Sequence, residues 1–458
     1  MNKAILWSLI LVTIVSCSER RKDSVIIIET SQSMSSDKVK LGKDSEFYSP
    51  EIKVKRIVYT IPQSHSDYYQ LSLGDFSTPI FLAPGDRIYL SSDFKNSEYK
   101  SYSGKGALLN NYILRDNYFT GEINKNTDFD SIYSLPPLEF INSIDSIYEL
   151  RNERLEKFIS SEKITDELFI STENKRIFYE SSIEKNHYYR DHTFLTGQKP
   201  KLNEVFNSYL KQVDFDDSDI LHLEAYRSFL YTYFESIGLQ QKDIINENKL
   251  FTELAFENAL NRINNPITKT YTLYRIMDVH LSETPINELG KLIDDFNNNC
   301  LNKKYKEKIN NYYSRLEKLK FGMPAPNFSF PDKSGKKVFL SDFKGKLVYI
   351  DIWNSNCSPC FKEFPALEEL IENHNDQDIV FIGISYDSNE TVWKKTMKKK
   401  KLKGVQLFAS GWNSQFGKDY LVYSNPRFIL IDNNGNFINA KAPRPSEHID
   451  EIIKQHIK

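Results

Sequence analysis

The stretch LVYIDIWNSNCSPC, residues 347–360, decides the fold of the C-terminal part of this chain. Its first seven residues, Leu347–Trp353, form an apolar run that is typical of a buried strand. Cys357 and Cys360 follow where this strand passes into a helix. Two cysteines so placed can form a reversible disulfide, and the unpaired N–H groups of the helix N-terminus stabilise a thiolate on the first sulfur. Because the thiolate is the attacking species in disulfide exchange, the stretch predicts redox chemistry.

Strand and helix patterns continue on both sides of this stretch and predict an α/β domain. Before it, residues 337–340 form a short strand pattern. Leu347–Trp353, the helix after the cysteines and a second apolar run at Ile379–Ser385 form a strand–helix–strand unit. Such a unit implies parallel pairing of its two strands through a right-handed crossover. After the cysteines the sequence predicts a helix at 357–374, a strand at Ile379–Ser385, a helix at about 389–400, a strand at 428–431, a hairpin turn at 433–435 leading to 437–438, and a terminal helix from about 446 to the end.

This C-terminal region, about residues 321–458, resembles thioredoxin, and more closely the TlpA/ResA type of thiol-disulfide oxidoreductase. The resemblance implies a thioredoxin-like α/β fold and a protein-disulfide reductase activity that acts on protein partners. Several features carry it besides the two cysteines: the entry GMPAPNF at 322–328, LSDFKGK at 340–346, Asp351, Trp353, Glu363, Pro365, and NPRFILID at 425–432.

The positions of the matching residues suggest separate catalytic roles. Cys357 is predicted to be the more exposed sulfur and the nucleophile, and Cys360, one turn further, the resolving thiol. Asp351 matches the family's buried acid, whose raised pKa lets it accept a proton from Cys360; a solvent-facing strand carboxylate is the alternative. Pro426 matches a cis proline that faces the sulfurs, against an ordinary trans loop proline. Glu363 is predicted either to tune the thiols or to be solvated on the helix surface.

One position departs from the family pattern. The family usually has an aromatic residue, commonly tryptophan, directly before the first cysteine, whereas this chain has Asn356. The polar side chain removes an apolar docking surface, which affects the choice of partner but not the exchange reaction. A zinc site is the alternative use of such a cysteine pair, but it needs two further ligands that the sequence does not supply. The sequence therefore predicts neither a metal nor a cofactor.

The N-terminus carries an export pattern. A positive charge at Lys3 precedes a short apolar run at 4–15, and residues 14–17, Ile-Val-Ser-Cys, resemble a bacterial lipobox. This predicts a lipoprotein signal peptide at 1–17 with lipidation at Cys17, against an ordinary secretory signal with an incidental cysteine. Residues 18–23 are then a short tether. The redox domain is predicted to face the periplasm in the bacterial cell envelope, membrane-anchored by lipid.

Two further regions separate the tether from the redox domain. Residues 24–105 show short β-prone runs that predict a small β-sandwich or open barrel. Residues 106–320 show apolar stripes of helical period and predict a helical domain, with breaks at Gly238, Pro266, Pro285 and Gly290. Neither region shows a catalytic motif. His187 and His192 are interpreted as packing or surface histidines, and Cys300 as a small apolar residue in a helix.

Composition excludes some functions and leaves others open. A net charge of -2 over 458 residues gives no overall field for nucleic acid. The lysine run at 394–403 is interpreted as a solvated helix face rather than a contact for acidic lipid or a negative partner.

We expect a lipid-anchored oxidoreductase with an upstream membrane or periplasmic electron donor. The alternatives are a peroxiredoxin-like peroxidase, although Asn354 stands where such enzymes normally have threonine, and an envelope scaffold whose redox domain is secondary.

Overall fold

The computed structural model describes residues 23–30, 39–43, 46–53, 56–63, 65–73, 76–92, 101–244, 249–281, 289–412 and 414–457. The chain forms two compact units, residues 1–272 and 273–458, and the division falls within a helix. The predicted signal peptide, Cys17 and most of the tether lie outside the described residues, as does the predicted break at Pro285. None of the described helices is both long and apolar enough to cross a bilayer.

The first unit begins with two β-sheets. One has the strand order β4-β5-β1-β8-β9 and the other β3-β2-β6-β7. β1 pairs antiparallel with β5 and parallel with β8. The strands are β1 (Ser24–Thr30), β2 (Val39–Lys43), β3 (Glu46–Phe47), β4 (Glu51–Lys53), β5 (Arg56–Ile61), β6 (Asp67–Leu73), β7 (Phe76–Leu82), β8 (Arg87–Ser92) and β9 (Tyr102–Lys105).

Alternation of apolar and polar residues explains how these sheets pack. In β5, Ile57, Tyr59 and Ile61 are buried whereas Arg56 and Thr60 are exposed, as expected of a strand with one face in a core. The buried residues of both sheets form one shared apolar cluster, to which the second sheet contributes Leu41, Leu71 and Ile80 among others. The region is therefore a sandwich and not a barrel, which confirms the first of the two β architectures predicted.

Helices follow the sandwich, as predicted. Aromatic residues fill much of their interior; Phe140, for example, stacks on Tyr188 with ring centroids 4.2 Å apart. The helices are α1 (Ala107–Asn126), α2 (Phe129–Tyr133), α3 (Pro137–Glu162), α4 (Glu167–Thr196), α5 (Glu224–Ile244), α6 (Phe251–Arg262), α7 (Pro266–His280), α8 (Leu289–Asn299) and α9 (Lys303–Glu317).

The predicted helix breaks at Gly238 and Gly290 are wrong. Gly238 lies inside α5, and Gly290 lies in the first turn of α8. A Cβ atom at Gly238 would lie 2.4 Å from the carbonyl oxygen of Phe251 and 3.1 Å from the Cβ of Ala255. Glycine therefore allows α5 and α6 to approach closely, and the packing outweighs its low helix propensity.

The second unit contains the predicted α/β domain. Its main sheet has the order β14-β13-β12-β15-β16; β12, β13 and β14 are parallel, and β15 and β16 are antiparallel additions. A small hairpin of β10 and β11 precedes it. The elements are β10 (Ser329–Pro331), β11 (Lys337–Phe339), β12 (Leu347–Trp353), α10 (Ser358–Asn373), β13 (Ile379–Ser385), α11 (Glu390–Lys400), β14 (Val405–Phe408), α12 (Gln415–Asp419), β15 (Arg427–Ile431), β16 (Phe437–Asn439) and α13 (Ile449–His456).

Burial explains why the central strands were predictable. Every residue of β12 is buried, and β13 is buried except for one partly exposed position. Strands covered on both faces read as continuous apolar runs. The thioredoxin-like α/β fold expected for this region is confirmed.

Two details of this domain differ from the sequence prediction. The edge strand β14 and the short helix α12 were not predicted, because β14 has only four residues and half of them are partly exposed. The terminal helix begins at Ile449 instead of about 446. Residues 444–447 form a turn that is closed by a hydrogen bond from the Glu447 N–H to the carbonyl of Arg444. Because the chain turns here, the helix begins only after these residues.

Candidate active site

The two cysteines lie at the start of α10, directly after the central strand β12. They form a disulfide with Cα atoms 5.3 Å apart. Cys357 is the N-cap residue, and its Sγ accepts a hydrogen bond from the Cys360 N–H at 3.1 Å. Cys357 is 6% exposed and Cys360 1%, which confirms the predicted order of exposure. The helix N-terminus thus donates to the first sulfur, where negative charge is stabilised.

An apolar wall surrounds the disulfide. Trp353 and Trp393 are fully buried and belong to one cluster with both cysteines, Phe364 and Phe408. Trp353 meets Phe364 edge to face, with ring centroids 5.8 Å apart. Trp353, one of the residues that carry the family resemblance, thus packs in the same cluster as the disulfide. These apolar side chains exclude water from the Cys360 sulfur, so the Cys357 sulfur is the more accessible of the two.

The loop before Cys357 is anchored by an acid that the sequence did not reveal. Asp387 is buried and lies just beyond β13; its Oδ1 accepts hydrogen bonds from the N–H of Ser355 at 3.0 Å and from the Ser355 hydroxyl at 2.5 Å. Its Oδ2 accepts from the Ser385 hydroxyl at 2.8 Å. Asp387 therefore fixes residues 354–356, and Asn356 remains exposed at the position of the family aromatic.

Asp351 is buried in the middle of β12, on the strand that leads to Cys357. It is 4% exposed, so the predicted burial is confirmed and the solvent-facing alternative does not hold. Burial, with a smaller effect of the negative charge of Glu363, raises the pKa of Asp351 to about 8. A carboxyl group with such a pKa exchanges its proton near neutral pH, which is the property required of a proton acceptor.

Glu363 is buried on α10, so it is not solvated on the helix surface. It is 6% exposed, and its Oε2 accepts a hydrogen bond from the Ser446 N–H at 3.2 Å. The Arg444 guanidinium lies 3.7 Å from the other oxygen. The same segment is tied to β12, because the Tyr349 hydroxyl donates to the carbonyl of Pro443 at 2.7 Å. The turn before α13 thus holds the second buried carboxylate of the site.

Pro426 precedes β15, and the Asn425–Pro426 peptide bond is cis, as the resemblance implied. The antiparallel register pairs Ile352 with Arg427, so Pro426 lies at the end of the sheet where β12 stops and the cysteine loop begins. Arg427 is fixed beside it by donating from Nε to the carbonyl of Ala440 at 3.1 Å. Burial lowers the pKa of Arg427 to about 10.

The other candidate residues of the sequence lie elsewhere. His192 is buried and its Nδ1 lies 2.8 Å from the carbonyl oxygen of Tyr133, and burial lowers the pKa of His187 to about 4. Both are packed in the helical region, as interpreted from the sequence. Cys300 is a buried free thiol, as its interpretation as a small apolar residue implied, but it lies directly after α8 and not inside a helix. Within the described ranges, no group of three or more His, Cys, Asp or Glu side chains is placed to hold a metal ion.

A helix-terminal disulfide beside the central strand of a thioredoxin-like domain defines the class of thiol-disulfide oxidoreductases. The family model described as Redoxin matches residues 320–453. Thiol-disulfide oxidoreductase ResA of Bacillus cereus is 34% identical over 145 residues, which are 31% of this chain and 83% of the relative. Thioredoxin-like protein YneN of Bacillus subtilis is 32% identical over 27% of this chain and 72% of its own length. The chain belongs to the ResA-type thiol-disulfide oxidoreductases through its C-terminal domain.

Solved structures of related domains cover the same share of the chain. The thioredoxin domain of a thiol-disulfide oxidoreductase from Bacteroides vulgatus is 29% identical, covers 31% of this chain and 99% of its own, and has a TM-score of 0.29. A thiol:disulfide interchange protein from Bacteroides sp. is 31% identical, covers 30% of this chain and 91% of its own, and has a TM-score of 0.28.

Proposed function

We propose that this protein is a lipid-anchored protein-disulfide reductase of the bacterial cell envelope, with Cys357 as its nucleophile. The hydrogen bond from the Cys360 N–H to the Cys357 Sγ carries the proposal. In the reduced protein this donor and the dipole of α10 favour a thiolate on Cys357, which is also the more exposed sulfur. Cys360 lies one turn inside the apolar wall and acts as the resolving thiol.

The reaction transfers two electrons to the partner in two exchange steps. The Cys357 thiolate attacks one sulfur of the partner disulfide; a mixed disulfide forms, and the other partner sulfur leaves as a thiolate that takes up a proton. Cys360 then loses its proton, and its thiolate attacks Cys357 Sγ. The Cys357–Cys360 disulfide forms, the second partner sulfur leaves as a thiolate and is protonated, and an upstream dithiol donor must reduce the domain again.

Asp351 is the proposed acceptor of the Cys360 proton. Its raised pKa, near 8, makes the carboxylate form a base strong enough to compete for a thiol proton, and a fraction of the folded molecules holds that form at neutral pH. Glu363 is the proposed tuning residue, because its charge adds to the raised pKa of Asp351. Pro426 is proposed to lie against the partner segment, which its position at the start of β15, beside the cysteine loop, supports.

The reductase direction is proposed from the family relationship. Helix-terminal Cys-x-x-Cys sites span about -270 to -120 mV. Equilibration of the full chain with glutathione mixtures of defined ratio measures its potential. We expect a value toward the reducing end of this range, and a value near the oxidising end would assign the protein to disulfide formation instead.

Membrane attachment through Cys17 is proposed from the lipobox pattern alone. We further propose that residues 24–105 and 106–320 form two domains that hold the redox domain, residues 321–458, away from the membrane. Expression of the chain with Cys17→Ser tests the anchor, because the variant should move from the membrane fraction to the soluble fraction. Retention in the membrane fraction would contradict lipid anchoring at Cys17.

Covalent trapping tests the proposed chemistry and reveals the partner. In the Cys360→Ala variant the first exchange step proceeds, but no thiol remains to resolve it, so the mixed disulfide on Cys357 accumulates. Cys357→Ala is the matched control and should trap nothing. Equal trapping by both variants, or trapping through Cys300 in a variant that lacks both active-site cysteines, would contradict the assigned order of the two thiols.

A further inference from the structure

The helix α11 carries a lysine run that the proposed exchange reaction does not use. Its buried side is fixed to the redox centre: Trp393 is fully buried in the cluster that contains both cysteines, and Met397 packs against the same cluster. The exposed residues of the helix and of its C-cap include Lys394, Lys395, Lys398, Lys399, Lys400 and Lys401. A concentration of positive charge therefore lies on the element that covers the disulfide.

Most of this charge has no acidic neighbour. Lys394 pairs with Glu390 at 2.8 Å, and Lys403, beyond the helix, pairs with Glu368 at 2.8 Å. In the parts of the chain that the structure describes, no carboxylate lies within ion-pair distance of the four lysines 395, 398, 399 and 401, which we call the lysine surface. The whole chain has a net charge of -2, so this positive charge is local. Lysines four residues apart on one helix repel each other.

The positive charge extends toward the cysteines. The Lys400 Nζ lies 4.4 Å from the centroid of the Phe361 ring, and Phe361 directly follows Cys360. A partner that brings a disulfide to Cys357 therefore approaches a positively charged side of the site. An anionic membrane on the same side would compete with the partner for access to the sulfur, so a protein partner fits this location better than a lipid surface.

We propose that the lysine surface docks partner proteins that carry acidic residues beside the disulfide to be exchanged. This inference rests on the proposed function and adds the chemical class of its substrate. Opposite charges on two surfaces accelerate encounter by about 10- to 1000-fold, and the effect falls as salt rises. The polar Asn356, which replaces an apolar contact at the rim, agrees with a partner that is selected by charge.

Two disulfide-bridged peptides of equal length test the proposal with the full chain. One has Asp and Glu on both sides of its disulfide, and the other has Asn and Gln. The test variant is K395Q/K398Q/K399Q, and the matched control K333Q/K337Q/K344Q removes the same charge from exposed lysines of the same domain. We measure the ratio of kcat/KM for the acidic and the neutral peptide at low and high salt. The parent and control should show a ratio of about 10 or more at low salt.

The outcomes separate this inference from the proposed function. The test variant should lower the ratio to about 1, and high salt should do the same in the parent. An unchanged ratio in the test variant overturns the inference. Loss of binding to phosphatidylglycerol vesicles in that variant, with the ratio unchanged, overturns it in favour of a membrane contact. Failure of the parent to reduce the neutral peptide overturns the proposed function as well.

Discussion

Replacement of Asp351 by asparagine should stabilise the redox domain and slow its chemistry at the same time. Asparagine keeps the shape of the side chain but cannot ionise. Burial raises the pKa of Asp351 to about 8, roughly four units above that of an exposed aspartate. At about 1.4 kcal/mol per unit, ionised Asp351 destabilises the folded domain by up to about 6 kcal/mol.

The sign of this effect follows from proton binding. Below about pH 4 both the folded and the unfolded chain hold the proton, so Asp351 carries no penalty there. Between about pH 4 and pH 8 the unfolded chain releases the proton and the folded domain keeps it, so the stability of the parent falls as pH rises. The Asp351→Asn variant lacks this loss, and its advantage in free energy of unfolding should grow from near zero at pH 4 to several kcal/mol at pH 8.

Urea unfolding measured at pH 4 to 9 checks the stability change. The fluorescence of Trp353 and Trp393 reports on this domain, because both are buried beside the disulfide. Asp376→Asn, at an exposed position of the same domain, is the control and should leave the pH dependence as in the parent. Parallel stability curves for the parent and Asp351→Asn would refute the assignment of a raised pKa to this residue.

Kinetics of the same variant separate catalysis from stability. Loss of the proton acceptor should slow resolution of the mixed disulfide by about 100-fold or more at pH 7. The deficit in rate should narrow as pH rises, because hydroxide then competes as the acceptor of the Cys360 proton. A domain that is more stable yet slower cannot be explained by misfolding. A deficit of equal size at all pH values would contradict proton transfer to Asp351.

Four other substitutions test single contacts of the two units. Gly238→Ala should destabilise the first unit by about 1–3 kcal/mol in thermal unfolding, because its Cβ would meet the Phe251 carbonyl; Gly121→Ala, in open space on α1, should stabilise by about 0.5–1 kcal/mol. Ser355→Ala removes the hydrogen bond from the Ser355 hydroxyl to Asp387, keeps the one from its N–H, and should cost about 1–3 kcal/mol in urea unfolding; an unchanged midpoint would contradict a stabilising role of the hydroxyl bond. Cys300→Ser should leave the rate of disulfide exchange unchanged. Thiol titration of the native, oxidised protein should give zero both with and without this substitution, since Cys300 is buried and burial raises the pKa of its thiol.

Local sequence patterns predicted the redox domain well because its decisive features are local. A continuous apolar strand, a cysteine pair and a helix lie within 27 consecutive residues, from Leu347 to Asn373. Asp351 lies in β12 and Cys357 is the N-cap of α10, so the short segment that joins the two elements fixes the spacing between these residues. The same argument gave the sandwich, whose strands alternate between buried and exposed residues.

Contacts between distant residues could not be predicted in this way. Asp387 anchors Ser355 from 32 residues away, and Ser446 contacts Glu363 across 83 residues. For this reason the sequence could not decide whether Glu363 tunes the thiols or is solvated on the helix surface. Gly238 was wrongly predicted to break a helix. The contact that requires a glycine there comes from Phe251 and Ala255 on another helix, so the residues next to Gly238 in the sequence do not reveal it.

Reduction of a protein disulfide by the purified full chain tests the central claim most directly. Insulin serves as the substrate and dithiothreitol as the electron donor that returns the domain to its dithiol form. The account predicts that the parent accelerates insulin reduction and that Cys357→Ala falls to the rate of dithiothreitol alone. A Cys357→Ala variant as active as the parent, or a Cys357–Cys360 disulfide that dithiothreitol cannot open in the folded protein, would contradict it.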